Sequence, residues 1–281
     1  MARPPRLTAS PLIPPELEAS LVLVRHGAST WIEEHRFQGR GDPSLSEHGR
    51  RQAELVGQRL AEPHAPPALP LPAGPPLAIW HSPLRRAAQT AEAIAAAMAA
   101  TRPAPPLHPS PGFIEIAQGR WEGLPASEVQ ARWGPRLAGW RRDPNRFHAP
   151  GGESLADADR RVTETLAQVI ASLASPATSG PRPGRTFVPG YGQSPPTHPW
   201  AVVVAHDGIF RLALLRLLGL SRSHFWSFPF VLAGVSVVEL RDGLAVLRTH
   251  DRDEHLAPLD DDGTTVIPGE DEVSRARSGA L

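Results

Sequence analysis

Three short apolar segments of this chain are each stopped abruptly by a turn that contains a histidine. The segments are Leu21–Val24, Leu77–Trp80 and Ala201–Ala205, and the turns are Arg25-His26-Gly27, His81-Ser82-Pro83 and His206-Asp207-Gly208. Continuous apolar runs of this length, with β-branched residues, predict strands that are buried on both faces. Such strands need a layer above and a layer below, so the chain is restricted to a sheet that helices cover.

Helical patterns supply those layers. Ser46 precedes one helical pattern, which runs to about Glu62, and a second, Ala-rich helix follows the turn at His81. Its core-facing stripe consists of Ala87, Ala91, Ile94 and Met98. A third, strongly apolar helix follows His206, and Gly219 is placed to end it.

The last predicted element is a β-hairpin. Its strands are Val231–Leu240 and Leu244–Leu247, with Arg241-Asp242-Gly243 between them. Together the elements predict an α/β fold class: a three-layer α/β/α arrangement with a mostly parallel central sheet and an antiparallel edge. Ligands of such sheets bind beyond the carboxyl ends of the strands. The three histidine turns are predicted to lie there.

The domain organisation follows from where these patterns stop. Residues 1–18 are expected to be a flexible N-terminal extension, and residues 19–258 a single domain. Within it, Pro63–Pro76 cannot form regular structure, and the Pro- and Gly-rich stretch 176–199 is expected to be a surface insertion. Residues 259–281 carry an acidic run without apolar periodicity and are expected to be a disordered tail.

Composition excludes several classes of function. Lys+Arg and Asp+Glu both number 29, so there is no basic excess that would favour nucleic acid or an anionic membrane as a partner. The absence of cysteine excludes disulfides, thiol catalysis and Cys-based metal sites. No secretory signal and no apolar run long enough for a membrane span is found, so a cytoplasmic protein is expected.

Six blocks of the chain resemble the histidine phosphatase superfamily, the phosphoglycerate-mutase-like proteins, and they occur in the family's order. They are LVLVRHGASTW, RFQGRGDPSLSEHGRRQAE, SPLRRAAQTAEAI, EIAQGRWEGL, PGGES and VVVAHDGIFR. The resemblance extends from about Leu21 to about Leu247. It implies the phosphoglycerate-mutase-like fold and an enzyme that forms a covalent phosphohistidine.

The resemblance assigns roles to five catalytic residues. His26 is the nucleophile, and its second ring nitrogen needs an acceptor, which the sequence does not name. Arg25 and Arg86 are expected to bind phosphate through their guanidinium groups; Arg86, rather than Arg85, precedes the family's Ala-x-Gln-Thr. His206 is expected to bind phosphoryl oxygens as an imidazolium. These charges need no metal, and no cofactor is expected.

Glu115 completes the implied catalytic set as the general acid, since it begins the block EIAQGRWEGL. A carboxyl group with this role needs a pKa raised towards neutrality. Glu122 is the competing carboxylate and is interpreted as structural. Gln38 and Ser29 are the predicted substrate-binding residues, each able to offer a donor to phosphate.

Other positions are interpreted as structural or as departures from the family. Glu153 is interpreted as structural, with Ser154 capping the next helix. Three departures stand out: Ala28, Ile32 and Asp207. Ile32 cannot donate a hydrogen bond, so one phosphate contact is missing or moved. The carboxylate of Asp207 could hold His206 protonated or could point away.

The stretch from Gly119 to Pro150 favours the phosphatase branch, which includes α-ribazole and broad-specificity phosphatases. Its tryptophans could stack on an organic group, but packing is the more frequent role. The resulting hypothesis is a metal-independent phosphomonoesterase acting on a small phosphorylated metabolite. Two alternatives stay open: a mutase or phosphotransferase, and a regulatory protein that binds phosphate without turnover. A homodimer is compatible with the sequence, which does not fix the oligomeric state.

Overall fold

A computed structural model of the protein describes residues 10–100, 102–174 and 197–261. One six-stranded sheet forms its centre, with the strand order β3-β2-β4-β1-β5-β6. The strands are β1 (Ala19–Arg25), β2 (Ile79–His81), β3 (Leu107–Pro109), β4 (Trp200–Ala205), β5 (Val235–Arg241) and β6 (Leu244–Arg252). The helices are α1 (Thr30–Glu33), α2 (Glu47–Ala61), α3 (Arg85–Ala99), α4 (Ala126–Arg142), α5 (Leu155–Leu173), α6 (Asp207–Leu217) and α7 (Pro258–Asp261).

The sheet is mostly parallel with an antiparallel edge, as predicted. β1, β2, β3 and β4 run parallel, whereas β5 runs antiparallel to β1 and β6 antiparallel to β5. The predicted hairpin is present, but its first strand begins at Val235 instead of Val231. The reason is that Ala233 adopts a φ of 56° and its N–H donates to the carbonyl of Arg25 over 3.0 Å, which turns residues 231–234 towards the end of β1.

Both faces of β1 are buried because successive side chains alternate between two cores. Leu21 and Leu23 pack with α5 and α6, whereas Val22 and Val24 pack with α2 and α3. The predicted stripe on α3 is fully buried in the second core. This two-sided burial is the physical reason for the continuous apolar run in the sequence.

Serine side chains define the beginnings of two helices. The hydroxyl of Ser46 accepts from the N–H of Gly49 over 3.0 Å at the start of α2. At the start of α5, the hydroxyl of Ser154 accepts from the N–H of Asp157 over 3.2 Å, as predicted. α6 ends just before Gly219, whose φ of 68° suits a residue without a side chain.

The ends of the chain differ from expectation where the structure describes them. Residues 10–18 belong to the expected flexible extension, but Ile13 and Leu17 are buried in the core beside α5 and α6. Residues 259–261, the start of the expected tail, lie in α7. The remainder of the tail and residues 176–196 of the predicted insertion lie outside the described residues. Among the described helices, none is long and apolar enough to cross a membrane.

Candidate active site

The ends of three adjacent parallel strands bring the predicted histidines together. His26 follows β1, Ser82 follows β2 and His206 follows β4. Backbone hydrogen bonds hold these residues in register: the N–H of His26 donates to Ala205 and that of Ser82 to Val204, each over 3.0 Å. The rings of His26 and His206 meet edge to face with their centroids 5.0 Å apart. The carboxyl edge of the sheet therefore carries the site, as predicted.

The imidazole of His26 is held in one tautomer. Its Nδ1 donates to the carbonyl of Gly27 over 2.7 Å, the acceptor that the sequence did not name, and its Nε2 accepts from Nε of Arg86 over 3.2 Å. Burial, then the charges of Arg86 and Arg25, lower the pKa of His26 well below 6.5. His26 is therefore neutral, with an unprotonated Nε2 at the centre of the site.

The residue after His26 must be small. A Cβ on Gly27 would lie 2.4 Å from the carbonyl oxygen of Gly49, a separation at which the backbone would have to move. Gly27 thus lets the end of β1 approach the start of α2. The carbonyl of Gly27 accepts from Nδ1 of His26 and so holds the ring in place.

The guanidinium group of Arg86 lies in the first turn of α3 and is fully buried. Its Nη1 donates to the carbonyl of Gly41 over 2.7 Å and its Nη2 to that of Gly39 over 2.9 Å. These bonds aim Nε at His26. Burial lowers the pKa of Arg86 to about 10, which keeps the group charged at neutral pH. The neighbouring Arg85 is exposed, as predicted.

Two buried nitrogen atoms of the site have no hydrogen-bond partner within the part of the chain that the structure describes. Nε of Arg25 is one, although Nη1 of the same group donates to the carbonyl of Phe230 over 2.5 Å. Nδ1 of His206 is the other, whereas its Nε2 lies 2.8 Å from Oγ of Ser82. Unpartnered buried polar groups are costly, and an anion's oxygens would satisfy them.

The sequence predicted that His206 binds phosphoryl oxygens as an imidazolium, and without an anion beside the ring the surroundings of His206 oppose that charge. Burial lowers the pKa of His206 well below 6.5, and the charges of Arg86 and Arg25 act in the same direction. The ring is fully buried, so in the free site it is neutral. The sequence showed that His206 lies near arginines, but not that solvent is excluded from all of them.

Glu115 is buried beside the histidines and its carboxylate is held by backbone donors. Oε1 accepts from the N–H of Ile116 over 2.8 Å, and Oε2 from the N–H of Gly208 over 3.3 Å. Burial raises the pKa of Glu115 from 4.5 to about 7, with a smaller contribution from the charge of Asp207. A pKa of about 7 is compatible with the role of general acid that the sequence predicted for Glu115.

Gln38 and Ser29 lie together, but not as two independent donors. The hydroxyl of Ser29 donates to Oε1 of Gln38 over 2.6 Å and accepts from the N–H of Ile32 at the start of α1. The hydroxyl proton of Ser29 is thus used on Gln38 and not offered to a ligand. Its effect is to orient the amide of Gln38, leaving the NH₂ group as the donor.

Glu122 and Glu153, which the sequence analysis interpreted as structural, both hold neighbouring parts of the chain together. Oε1 of Glu122 accepts from the N–H groups of Gln118 and Arg40 over 2.8 and 3.0 Å, joining two loops. Glu153 pairs with Arg161 over 2.8 Å and with Arg40 over 3.1 Å.

The three residues that depart from the family pattern lie in different surroundings. Ala28 and Ile32 are both buried and contribute no side-chain hydrogen bond. Asp207 forms an ion pair with Arg211 over 2.9 Å, and both side chains are almost fully buried. The guanidinium group of Arg211 also lies 5.1 Å from the ring centroid of Trp226. The carboxylate of Asp207 is thus paired with Arg211.

Sequence reasoning missed the side chain that holds the loop of Glu115. Nη1 of Arg161 donates to the carbonyls of Gly112 and Ile114, and Nη2 donates to that of Glu115 over 3.2 Å. Arg161 lies on α5, far from that loop in sequence, and no local pattern marks it.

Ser82 had a weak signal, since it follows a predicted strand. The two tryptophans at 121 and 140 are buried and pack in the core.

The three-layer α/β/α fold thus carries a neutral histidine beside two arginines at the carboxyl edge of its sheet, an arrangement suited to binding phosphoryl groups. The histidine phosphatase superfamily (branch 1) matches residues 21–176 and 191–252. The chain belongs to this superfamily and is an enzyme of the phosphatase class.

Particular relatives are similar over between half and five sixths of the chain. Phosphoserine phosphatase 1 of Hydrogenobacter thermophilus is 31% identical over 222 residues, which cover 79% of this chain and 87% of the relative. The 2,3-bisphosphoglycerate-dependent phosphoglycerate mutase of Bartonella henselae is 35% identical over 148 residues, covering 52% and 66%. A mycobacterial glucosyl-3-phosphoglycerate phosphatase, solved with VO3, is 27% identical with a TM-score of 0.65, covering 83% of this chain and 99% of that one.

Proposed function

We propose that this protein is a metal-independent phosphomonoesterase that hydrolyses a small phosphorylated metabolite through a phosphohistidine on His26. One observation carries the proposal: the ring of His26 is fixed, with Nδ1 donating to the carbonyl of Gly27 and an unprotonated Nε2 accepting from Arg86. A neutral, oriented imidazole is the form that attacks phosphorus. The proposed setting is the cytoplasm, where the substrate would be a free metabolite.

The first step transfers the phosphoryl group to the enzyme. Nε2 of His26 forms a bond to phosphorus while the bond to the ester oxygen breaks, and the leaving oxygen takes the proton of Glu115. Arg25, Arg86 and Nδ1 of His206 bind the phosphoryl oxygens as the charge is redistributed. The two unpartnered nitrogen atoms described above would then be satisfied.

The second step returns the enzyme to its starting state. Glu115, now a carboxylate, takes a proton from water, and the water oxygen attacks phosphorus as the bond to His26 breaks. Inorganic phosphate leaves, and Nε2 regains its lone pair. A pKa of about 7 allows Glu115 to serve as acid first and base second.

The proposed lack of a metal requirement follows from charge. Two guanidinium groups face the phosphoryl group, and Gln38 adds a neutral donor. The negative charge of the substrate's phosphate group would balance the positive charges of the two guanidinium groups.

The mutase alternative is favoured by one observation, the similarity to a phosphoglycerate mutase over about half of the chain. A mutase would protect its phosphohistidine from water and pass the phosphoryl group to a second substrate molecule. A regulatory protein would bind phosphate without forming the phosphohistidine.

One experiment separates these functions. The protein is incubated in chelator with a panel of labelled phosphomonoesters, followed by peptide mapping at neutral pH and measurement of released phosphate. Label on His26 with release of phosphate supports the proposal, and transfer to a second ester indicates a mutase. Binding without label indicates a regulatory role. His26→Ala should abolish label and release, whereas His224→Ala, an exposed histidine outside the site, should leave both unchanged.

A further inference from the structure

We propose that Ser82 is a positioning residue that selects the tautomer of His206. In this arrangement the hydroxyl of Ser82 donates to Nε2 of His206, so the single proton of the neutral ring is on Nδ1. That N–H is then the donor offered to a phosphoryl oxygen. The inference deepens the proposed function and rests on it for the identity of the ligand.

The position of Ser82 is fixed by the sheet. Its N–H donates to the carbonyl of Val204 over 3.0 Å, and the residue is completely buried at the end of β2. Oγ then lies 2.8 Å from Nε2 of His206. Because both partners follow adjacent parallel strands, the backbone sets the distance between them.

The direction of the hydrogen bond follows from the second contact of the hydroxyl. Oγ of Ser82 accepts from the N–H of Leu84 over 3.3 Å, so the oxygen already has a donor. Its own proton then needs an acceptor, and Nε2 of His206 is the atom within reach. In the reverse arrangement, Nε2 would carry the proton and the hydroxyl proton would lack an acceptor among the described residues.

The other ring nitrogen supports the same direction. Nδ1 of His206 is buried and has no hydrogen-bond partner in the part of the chain described. As a protonated donor, it would complement a phosphoryl oxygen beside Arg25 and Arg86. As an unprotonated acceptor, its lone pair would face that oxygen and repel it. The opposite tautomer would therefore weaken anion binding.

The chain offers a matched control for removing such a bond. Ser20, at the other end of the sheet, has Oγ 2.8 Å from Nε2 of His198. It is also buried, and it lies at the start of β1 and not at its end. Ser20→Ala therefore removes a serine–histidine contact of equal length without touching the site.

The test measures the tautomer directly. Long-range ¹H–¹⁵N correlation spectra of the full-length wild-type protein, with His206 assigned through His206→Gln, should show the proton on Nδ1. Ser82→Ala should shift the ring towards the Nε2-protonated form and weaken the affinity for inorganic phosphate by about tenfold, since one hydrogen bond to an anion is lost or reversed. Ser82→Thr, which retains the hydroxyl, should preserve the tautomer, and Ser20→Ala should leave both measurements unchanged.

Two results would overturn the inference: a wild-type ring protonated on Nε2, or an unchanged tautomer and phosphate affinity in Ser82→Ala. If a variant fails to fold, the wild-type spectrum still shows which ring nitrogen of His206 carries the proton, and a proton on Nε2 overturns the inference. Neither measurement requires turnover. An Nδ1-protonated ring in a protein that forms no phosphohistidine would therefore contradict the proposed function while leaving the role of Ser82 intact.

Discussion

Replacing Glu115, the proposed general acid, should stabilise the protein at alkaline pH and abolish its activity. Glu115 is 2% exposed, and burial raises its pKa from 4.5 to about 7. Ionising this carboxyl group in the folded protein therefore costs free energy that the unfolded chain does not pay. Glu115→Gln removes the ionisation and retains an acceptor for one of the two backbone N–H groups that hold the carboxylate.

The sign and size of the effect follow from proton linkage. Between pH 4.5 and about 7 the folded protein keeps the proton of Glu115 while the unfolded chain has released it, so stability falls as pH rises. At about 1.4 kcal/mol for each pKa unit, the full penalty is about 3 kcal/mol. It is absent below pH 4.5 and complete above the folded pKa. The hydrogen bond lost in the variant shifts its stability by an amount that does not depend on pH.

The assay is chemical denaturation of both proteins from about pH 4 to about pH 9. The difference in unfolding free energy between Glu115→Gln and wild type should rise by about 3 kcal/mol over this range. The exposed Glu54→Gln on α2 is the control, and its difference from wild type should be flat. A flat difference for Glu115→Gln would show that the carboxyl group titrates normally, and the assignment of the general acid would lose its physical basis.

Three further predictions concern the neighbours of this carboxyl group. Asp207→Asn should leave the buried Arg211 without its ion-pair partner and lower the unfolding free energy by about 3 kcal/mol or more, measured by denaturation at pH 7. Gly208→Ala would place a Cβ 2.8 Å from Oε1 of Glu115 and should lower kcat at least about tenfold with little loss of secondary structure, measured by steady-state kinetics and circular dichroism. Arg86→Lys cannot reproduce the three directed bonds of the guanidinium group, so kcat should fall about a hundredfold, and near-wild-type kinetics would contradict the role of those bonds.

The sequence predicted the parts of the fold that depend on local pattern. β1 and β4 were predictable because both of their faces are buried, and α2, α3 and α6 because each presents one apolar face or a clear end. α4 was not predicted, since Pro135 interrupts its pattern and the backbone leaves helical geometry at Trp133. The burial of Ile13 and Leu17 was also missed, because two apolar residues among prolines carry no periodicity.

The positions of the candidate site residues were predictable, but their electrostatic states were not. Strand ends and family blocks located His26, Arg86 and His206, and the structure brings them together. The protonation of His206 depends on how completely the fold excludes water from it, and the direction of Asp207 depends on Arg211, four residues away on the same helix. Such contacts form only when the chain packs, and the order of residues in the sequence does not show them.

In the proposed mechanism, the substrate would itself raise the pKa of Glu115, the carboxyl group that protonates its leaving oxygen. Both histidines are neutral in the free site, and the pKa of Glu115 is about 7, so near neutral pH a share of the protein holds Glu115 as a carboxylate. A dianionic phosphate ester beside that carboxylate would raise its pKa by like-charge repulsion, and proton uptake would accompany binding. The complex would then contain the acid that the first step requires. In the first step that proton would leave with the ester oxygen, so Glu115 would begin the second step as the carboxylate that accepts a proton from water, and one buried carboxyl group can serve both halves of the reaction.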